Sequence, residues 1–264
     1  MKKSICCIAL ALVMALSTVG LFASCAKEKE KTLVMATNAT FPPYEYKDGA
    51  AFAGIEVELA QAIADKLGMK LEIQDVEFGA IVAGVESGKY DIGMAGMTVT
   101  EDRKKQVSFS TTYATGVQVV IVKEGSAIQS PADITTSSKI GVQQDTTGDL
   151  YASDTPEKGG WGEAAVTRYK SGADAVQALQ TGKLDCVIID KEPAKSFVAA
   201  NSGLKILDTE YTNEDYAIAV GKSNTELLEK INKALDELKR TAPSTRSSAS
   251  TSPPTSKLRH VRHT

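Results

Sequence analysis

An α/β fold of two lobes with a cleft between them follows from three features of this 264-residue chain. Strand-length apolar runs alternate with helix-length amphipathic stretches, the pattern of parallel βαβ units. The rhythm occurs twice, before and after the run GVQVVIV at residues 116–122, apolar but for Gln118, that reads as a strand buried on both faces. The part with folded composition, roughly residues 32–240, is long enough for two lobes of ordinary size.

Taken in order, residues 32–35 predict a first strand and residues 37–46, TNATFPPYEY, a loop that two consecutive prolines hold extended among Phe41, Tyr44 and Tyr46. Residues 54–67 predict a helix with Ile55, Leu59, Ala62, Ile63 and Leu67 on its buried face and Gly68 at the C-terminal cap. A strand at 70–76, a helix at 80–86 closed by Gly88 and a strand at 91–94 complete the first set. The second set comprises strands at 139–143, 166–169, 184–189 and 205–207. Its helices open at 145–153 and run over 173–180 and 193–200, with Pro193 suited to a first turn. Residues 216–220 read as one further strand, and 225–238 as a helix carrying Leu227, Leu228, Ile231, Ala234, Leu235 and Leu238 on one side.

The two ends differ from this middle. Lys2 and Lys3 precede an apolar run over residues 5–22, then Ala23, Ser24, Cys25 and a charged stretch, which reads as an export signal. The run is close to the shortest length that spans a bilayer, so an uncleaved anchor is the structural alternative. The small residues before Cys25 resemble a bacterial lipobox, which implies lipid modification of Cys25. From Thr241 the composition turns to Ser, Thr and Pro with scattered basic residues, too poor in apolar surface to offset the entropy of ordering.

Charge and cysteine content exclude several classes. The formal net charge is −3; removing the five basic residues from Arg240 onward leaves −8, and no basic stripe argues for nucleic acid. Cys6 and Cys7 fall in the signal, leaving Cys186 alone in an apolar strand without a disulfide partner, a small core residue. The only histidines, His260 and His263, lie in the tail, so the folded part offers neither a Cys–His pair nor a metal-ligand cluster. No catalytic residue, metal or cofactor is expected.

The segment DIGMAGMTVTEDR, residues 91–103, passes from an apolar strand through Ala95 and Gly96 to Thr98, Thr100 and Arg103. Gly96 has no Cβ, so a ligand can approach the main chain there, and a guanidinium is shaped to hold a carboxylate with two parallel hydrogen bonds. Arg103 is therefore a candidate carboxylate anchor; the alternative is a helix-surface arginine after a Thr N-cap.

Together, TNATFPPYEY, GIEVELAQAIADKLG, DIGMAGMTVTEDR, IGVQQDTTG and LDCVIID occur in an order similar to that of the bacterial extracellular solute-binding proteins of family 3, over roughly residues 32–239. The resemblance implies the periplasmic-binding-protein type II fold, two α/β lobes joined by a two-strand hinge near 114–116 and 213–216. Its domain plan is a lipoprotein signal peptide at 1–24, a linker at 25–31, lobe 1 at 32–114 plus 216–240, lobe 2 at 115–215 and a disordered, atypical tail at 241–264. It implies that Arg103 holds the α-carboxylate of an amino acid, with Ala95, Gly96 and Thr98 beside it. Thr147, at a helix N-terminus with Thr146 beside it in the site, would also reach that carboxylate, Asp190 would pair with the α-ammonium, and Phe41 and Phe78 would wall the side chain.

Asn38 stands where relatives place an acid or amide near the ligand side chain, while Glu45, Glu77 or Asp145 could supply negative charge. The implied function is binding of a polar or basic L-amino acid, arginine or glutamine favoured, and its delivery to ABC transporter permease subunits by hinge closure. The protein would be a monomer, lipid-anchored through Cys25 at the periplasmic or extracellular face of the cell membrane. A cyclohexadienyl-dehydratase-like enzyme on the same scaffold and a ligand-sensing surface lipoprotein are the competing readings. The tail after residue 240 departs from the family pattern, as native sequence or as a frameshift, truncation or fusion.

Overall fold

The computed structural model describes residues 31–208 and 212–241. The expected signal peptide, nearly all of the linker with Cys25, and the tail beyond Thr241 lie outside the described residues. The chain begins with β1 (Thr32–Thr37), β2 (Thr40–Phe41), β3 (Glu45–Asp48), β4 (Ala51–Ala53), α1 (Ile55–Leu67), β5 (Lys70–Asp75), α2 (Gly79–Glu86), β6 (Ile92–Gly93), α3 (Glu101–Gln106) and β7 (Val107–Phe109). It continues through β8 (Ala114–Lys123), β9 (Ile140–Gln143), α4 (Thr147–Ser153), β10 (Val166–Tyr169), α5 (Gly172–Gln180), β11 (Cys186–Asp190), α6 (Lys191–Ala200) and β12 (Leu204–Ile206). It closes with β13 (Thr212–Tyr216), β14 (Ala219–Gly221) and α7 (Thr225–Thr241).

Two sheets form the lobes. The first has the order β5-β1-β6-β14-β7, with β1 parallel to β5 and β6 and with β14 antiparallel to its neighbours. The second has the order β10-β9-β11-β8-β12, with β13 also paired to β8. In it β9, β10 and β11 are parallel, as helical crossovers require. The long β8 runs against β11, β12 and β13, because it enters this sheet from the other lobe rather than through a helical crossover. Apolar clusters cover both faces of each sheet, and Cys186 is fully buried in one of them.

Three local expectations are corrected. Residues 37–46 are not wholly loop: Thr40 and Phe41 pair with Tyr46 and Glu45, and Pro42 and Pro43 occupy the turn between them, where no ladder N–H is needed. The strand expected at 216–220 is two strands. Tyr216 ends β13 in the second sheet, Ala219 begins β14 in the first, and the chain changes lobe between them, fully buried throughout. The buried face of α1 is rotated, since Ile55 is 51% exposed while Glu56, Ala60, Ile63 and Ala64 are inside. Glu56 is drawn inward by partners in the other half of its lobe: its carboxylate accepts from Gly96 N–H at 2.8 Å and from the Tyr113 hydroxyl at 2.5 Å.

β8 and β13 link the lobes. Tyr216 pairs with Ala114 and bridges to Thr98, while Val99 N–H and Tyr113 N–H donate to the carbonyls of Asp215 and Tyr216. α7 lays Leu227, Ile231, Ala234 and Leu235 against the first-lobe cluster that also contains Leu33, Ala60 and Ile63.

Candidate functional site

A tight cavity with about 10 Å3 of water-accessible space lies between the lobes. Its first-lobe wall follows from the loop after β6. Thr100 caps α3 by accepting from Arg103 N–H at 3.2 Å, which starts the helix and turns the Arg103 side chain back along the loop. The guanidinium is only 8% exposed and lies over the Phe78 ring, 5.1 Å from its centroid. Nη1 donates to Thr98 O at 2.8 Å and Nη2 to Asp145 O of the opposite lobe at 3.1 Å. Arg103 is thus no surface arginine. Burial pulls its pKa down, opposed first by the charge of Glu214.

Gly96 adopts φ 55°, and a Cβ there would come within 2.8 Å of the Phe41 ring. Its N–H is committed to Glu56, so the expected backbone contact from Gly96 falls to its carbonyl. Asn38 is also engaged: Nδ2 donates to Val76 O, and Oδ1 accepts from Thr40 and, at 2.9 Å across the cleft, from Gln143.

Glu45, in this wall, and Glu56, behind it, are fully buried and interact, and neither Glu45 oxygen nor Glu56 Oε2 meets a hydrogen-bond donor from any other residue. Burial, and then the Glu56 charge, holds the Glu45 pKa well above the carboxylate range, whereas Gly96 and Tyr113 oppose the rise at Glu56. Glu45 is therefore the member that carries the proton. It lines the cavity; the other acids considered as charge donors do not, Glu77 being an exposed partner of Lys170 and Asp145 having an exposed side chain.

The second-lobe wall is made where strands end and helices begin. Thr146 caps α4, accepting from Asp149 N–H, and Thr147 is the first residue of that helix. Asp190 ends β11 at the N-cap position of α6 but makes no side-chain capping bond, so helix capping does not account for it. Its carboxylate accepts instead from the Tyr216 hydroxyl and is bonded to Gln118. Desolvation, and then the Glu214 charge, raises its pKa to about 7.

Of the residues that the resemblance nominates, Asn38, Phe41, Phe78, Ala95, Gly96, Thr98, Thr146, Thr147 and Asp190 all line this one cavity, and Arg103 lies behind Phe78 and Thr98. Two lining residues were not nominated as contacts, Glu45 and Gln143. Glu214 and Gln118 behind the lining were also missed. The signal for Glu214 is the two-residue period of TNEDY, which sets it on the same strand face as Tyr216. Among the described residues no group of three or more His, Cys, Asp or Glu could hold a metal, and no helix is long and apolar enough to cross a membrane.

With this geometry in place, comparison with known proteins is informative. The family model for bacterial extracellular solute-binding proteins, family 3, matches residues 33–246. The chain is similar to the arginine-binding extracellular protein ArtP of Bacillus subtilis (strain 168), 33% identical over 234 residues, 88% of this chain and 90% of that protein. It is similar also to the L-arginine-binding protein of Pseudomonas aeruginosa, 29% identical over 220 residues, 80% and 83% of the two chains. Among solved structures, an ancestral arginine-binding protein bound to glutamine superposes with a TM-score of 0.74 at 40% identity, covering 80% of this chain and 93% of that one. The arginine-bound form of truncated (residues 20–233) ArgBP from T. maritima gives 0.72 at 36%, covering 78% and 96%.

Proposed function

Because the chain belongs to the bacterial extracellular solute-binding proteins of family 3, we propose that it binds a polar or basic L-amino acid outside the cytoplasmic membrane and presents it to an ABC importer. The observation that carries this reading is the charge arrangement of one cavity: buried Arg103 backs its first-lobe wall and buried Asp190 lines the second. A zwitterion satisfies both only when the lobes are together, so binding and closure are coupled. The cross-cleft bonds from Arg103 to Asp145 and from Gln143 to Asn38 are of the kind that closure would make.

Arginine and glutamine are the favoured ligands. Among the described residues Arg103 is the buried cation, whereas Glu56, Asp190 and Glu214 are buried acids in or behind the walls, an imbalance that a cationic ligand reduces. The names of the similar proteins support the same choice. Export, cleavage of residues 1–24, lipid anchoring at Cys25, a monomeric state and the division into lobes at 114–115 and 215–216 belong to the same proposal, as does the absence of an enzymatic step.

A thermal-shift panel of the twenty L-amino acids tests it: a ligand at a thousand times its Kd stabilises by about 4 kcal/mol, and a flat response overturns it. A second reading has one observation in its favour. A carboxyl with a pKa of about 7, as at Asp190, suits a general acid, as a cyclohexadienyl-dehydratase-like enzyme would need. An ammonium beside Asp190 would return it to the ionised form, which favours binding without turnover. Conversion of prephenate or arogenate by the purified protein would reverse that preference.

A further inference from the structure

Glu214 of β13 is 5% exposed and does not line the cavity, yet it touches both walls from behind. Its Oε2 accepts from Thr98 Oγ1 of the first lobe at 2.8 Å, from Thr147 Oγ1 of the second at 2.9 Å and from Gln118 Nε2 of β8 at 3.2 Å. Tyr151 is hydrogen-bonded to the same carboxylate. We propose that Glu214 is a positioning residue that sets the hydrogen-bonding polarity of the ligand cavity, turning the hydroxyls of Thr98 and Thr147 into acceptors. The inference rests on the amino-acid reading above and goes further by naming the group behind both walls that orients those hydroxyls.

The argument is one of proton inventory. A threonine hydroxyl has one hydrogen and two acceptor lone pairs, and an ionised carboxylate can only accept. Once Glu214 has taken the hydrogen of each hydroxyl, the oxygen turned to the cavity has lone pairs alone to offer. An α-carboxylate gains nothing from such an oxygen and is repelled by it; an α-ammonium gains a charge-assisted bond. The carboxylate is left to Arg103 and to backbone N–H groups, and the ammonium is shared between Asp190 and the threonine oxygens. Because the acceptor that orients both threonines sits on a linking strand, this polarity is complete only when Thr98 and Thr147 come together over it.

The test compares L-arginine and L-glutamine with their α-desamino analogues by calorimetry on the wild-type protein, Glu214→Met, Glu214→Gln and Thr98→Val. Thr98→Val removes an acceptor and leaves Glu214 its bonds from Thr147 and Gln118, so it serves even where Glu214→Met does not fold. It should weaken the amino acids about ten- to a hundredfold, as loss of a bond to a charged group does, and the desamino analogues by less than about twofold. Glu214→Met should reproduce that split, and Glu214→Gln, which keeps an acceptor, should restore most of the binding. Equal weakening of amino acids and desamino analogues would overturn the inference and leave the amino-acid reading standing. Failure of the wild-type protein to bind either amino acid would remove both.

Discussion

The two walls of the cavity are satisfied in different ways. On the first-lobe side most polar groups have a partner within their own lobe in addition to any across the cleft: Gly96 N–H meets Glu56, Arg103 meets Thr98 O and Asn38 meets Val76 O. On the second-lobe side the partners come from elsewhere, Thr147 from Glu214, Asp190 from Tyr216 and Gln143 from Asn38. The first wall is thus a preformed half-site, and the second is completed by the linking strand and by closure. Affinity should therefore depend on the first wall for geometry and on the second for coupling to closure and to pH.

The largest effect should come from damaging the preformed half. Arg103→Lys keeps the charge but loses the planar fork that reaches Thr98 O, Asp145 O and the face of Phe78 together. We expect a loss of about 2–5 kcal/mol in ligand affinity, the range for truncating a buried, hydrogen-bonded charge. Calorimetry checks this, and unchanged affinity would mean that the guanidinium serves the fold alone.

Asp190 should show the different character of the second wall through pH. Its pKa in the ligand-free protein is raised to about 7, so stability from this group is full below the ordinary aspartate value and is lost as pH rises through about 7. Ligand binding has the opposite sign. An ammonium requires the ionised carboxylate, so affinity should fall by up to about tenfold for each pH unit below 7. Asp190→Asn should bind more weakly and lose this slope; a variant that keeps it would place the titrating group elsewhere.

The contrast between the walls also accounts for what could be read from the sequence. Alternation of apolar periods reveals both lobes, because each strand and helix answers to a local repeat. Asp190 draws notice because it ends an apolar run, and Arg103 because it follows Ala95, Gly96, Thr98 and Thr100 on the turn after a strand. Residues 216–220 show no break, since burial on all sides gives the same apolar signal whether the strand stays in one sheet or changes lobe. The inward turn of Glu56 and the placing of Gln118, Gln143 and Glu214 escape notice for a related reason. A polar residue is stable inside only through partners far away in sequence, and no local period encodes those.

Within the first wall, the acid pair offers a smaller and purely structural effect. Glu45 holds its proton far above its ordinary value of 4.5, so the folded state is favoured at low pH and loses that advantage as pH rises toward the folded pKa. Glu45→Gln keeps a donor for Glu56 with no proton to lose. Its Tm should fall less than that of the wild-type protein between about pH 5 and pH 9. Parallel curves for the two proteins would show that the shared proton does not contribute.

The smallest effect belongs to a contact between the lobes that is largely in water. Lys170 Nζ lies 2.7 Å from Glu77 Oε1 across the mouth of the cleft, with both side chains largely exposed. If closure relied on surface charge, Lys170→Met would matter as much as a change inside the cavity. Exposed pairs are screened by salt and lose side-chain entropy on pairing, so the substitution should alter affinity by less than about fivefold, and by less still in high salt. A larger, salt-insensitive loss would transfer part of the closing free energy from the buried partners of the second wall to the rim, and would weaken the distinction between a preformed half-site and one assembled by closure.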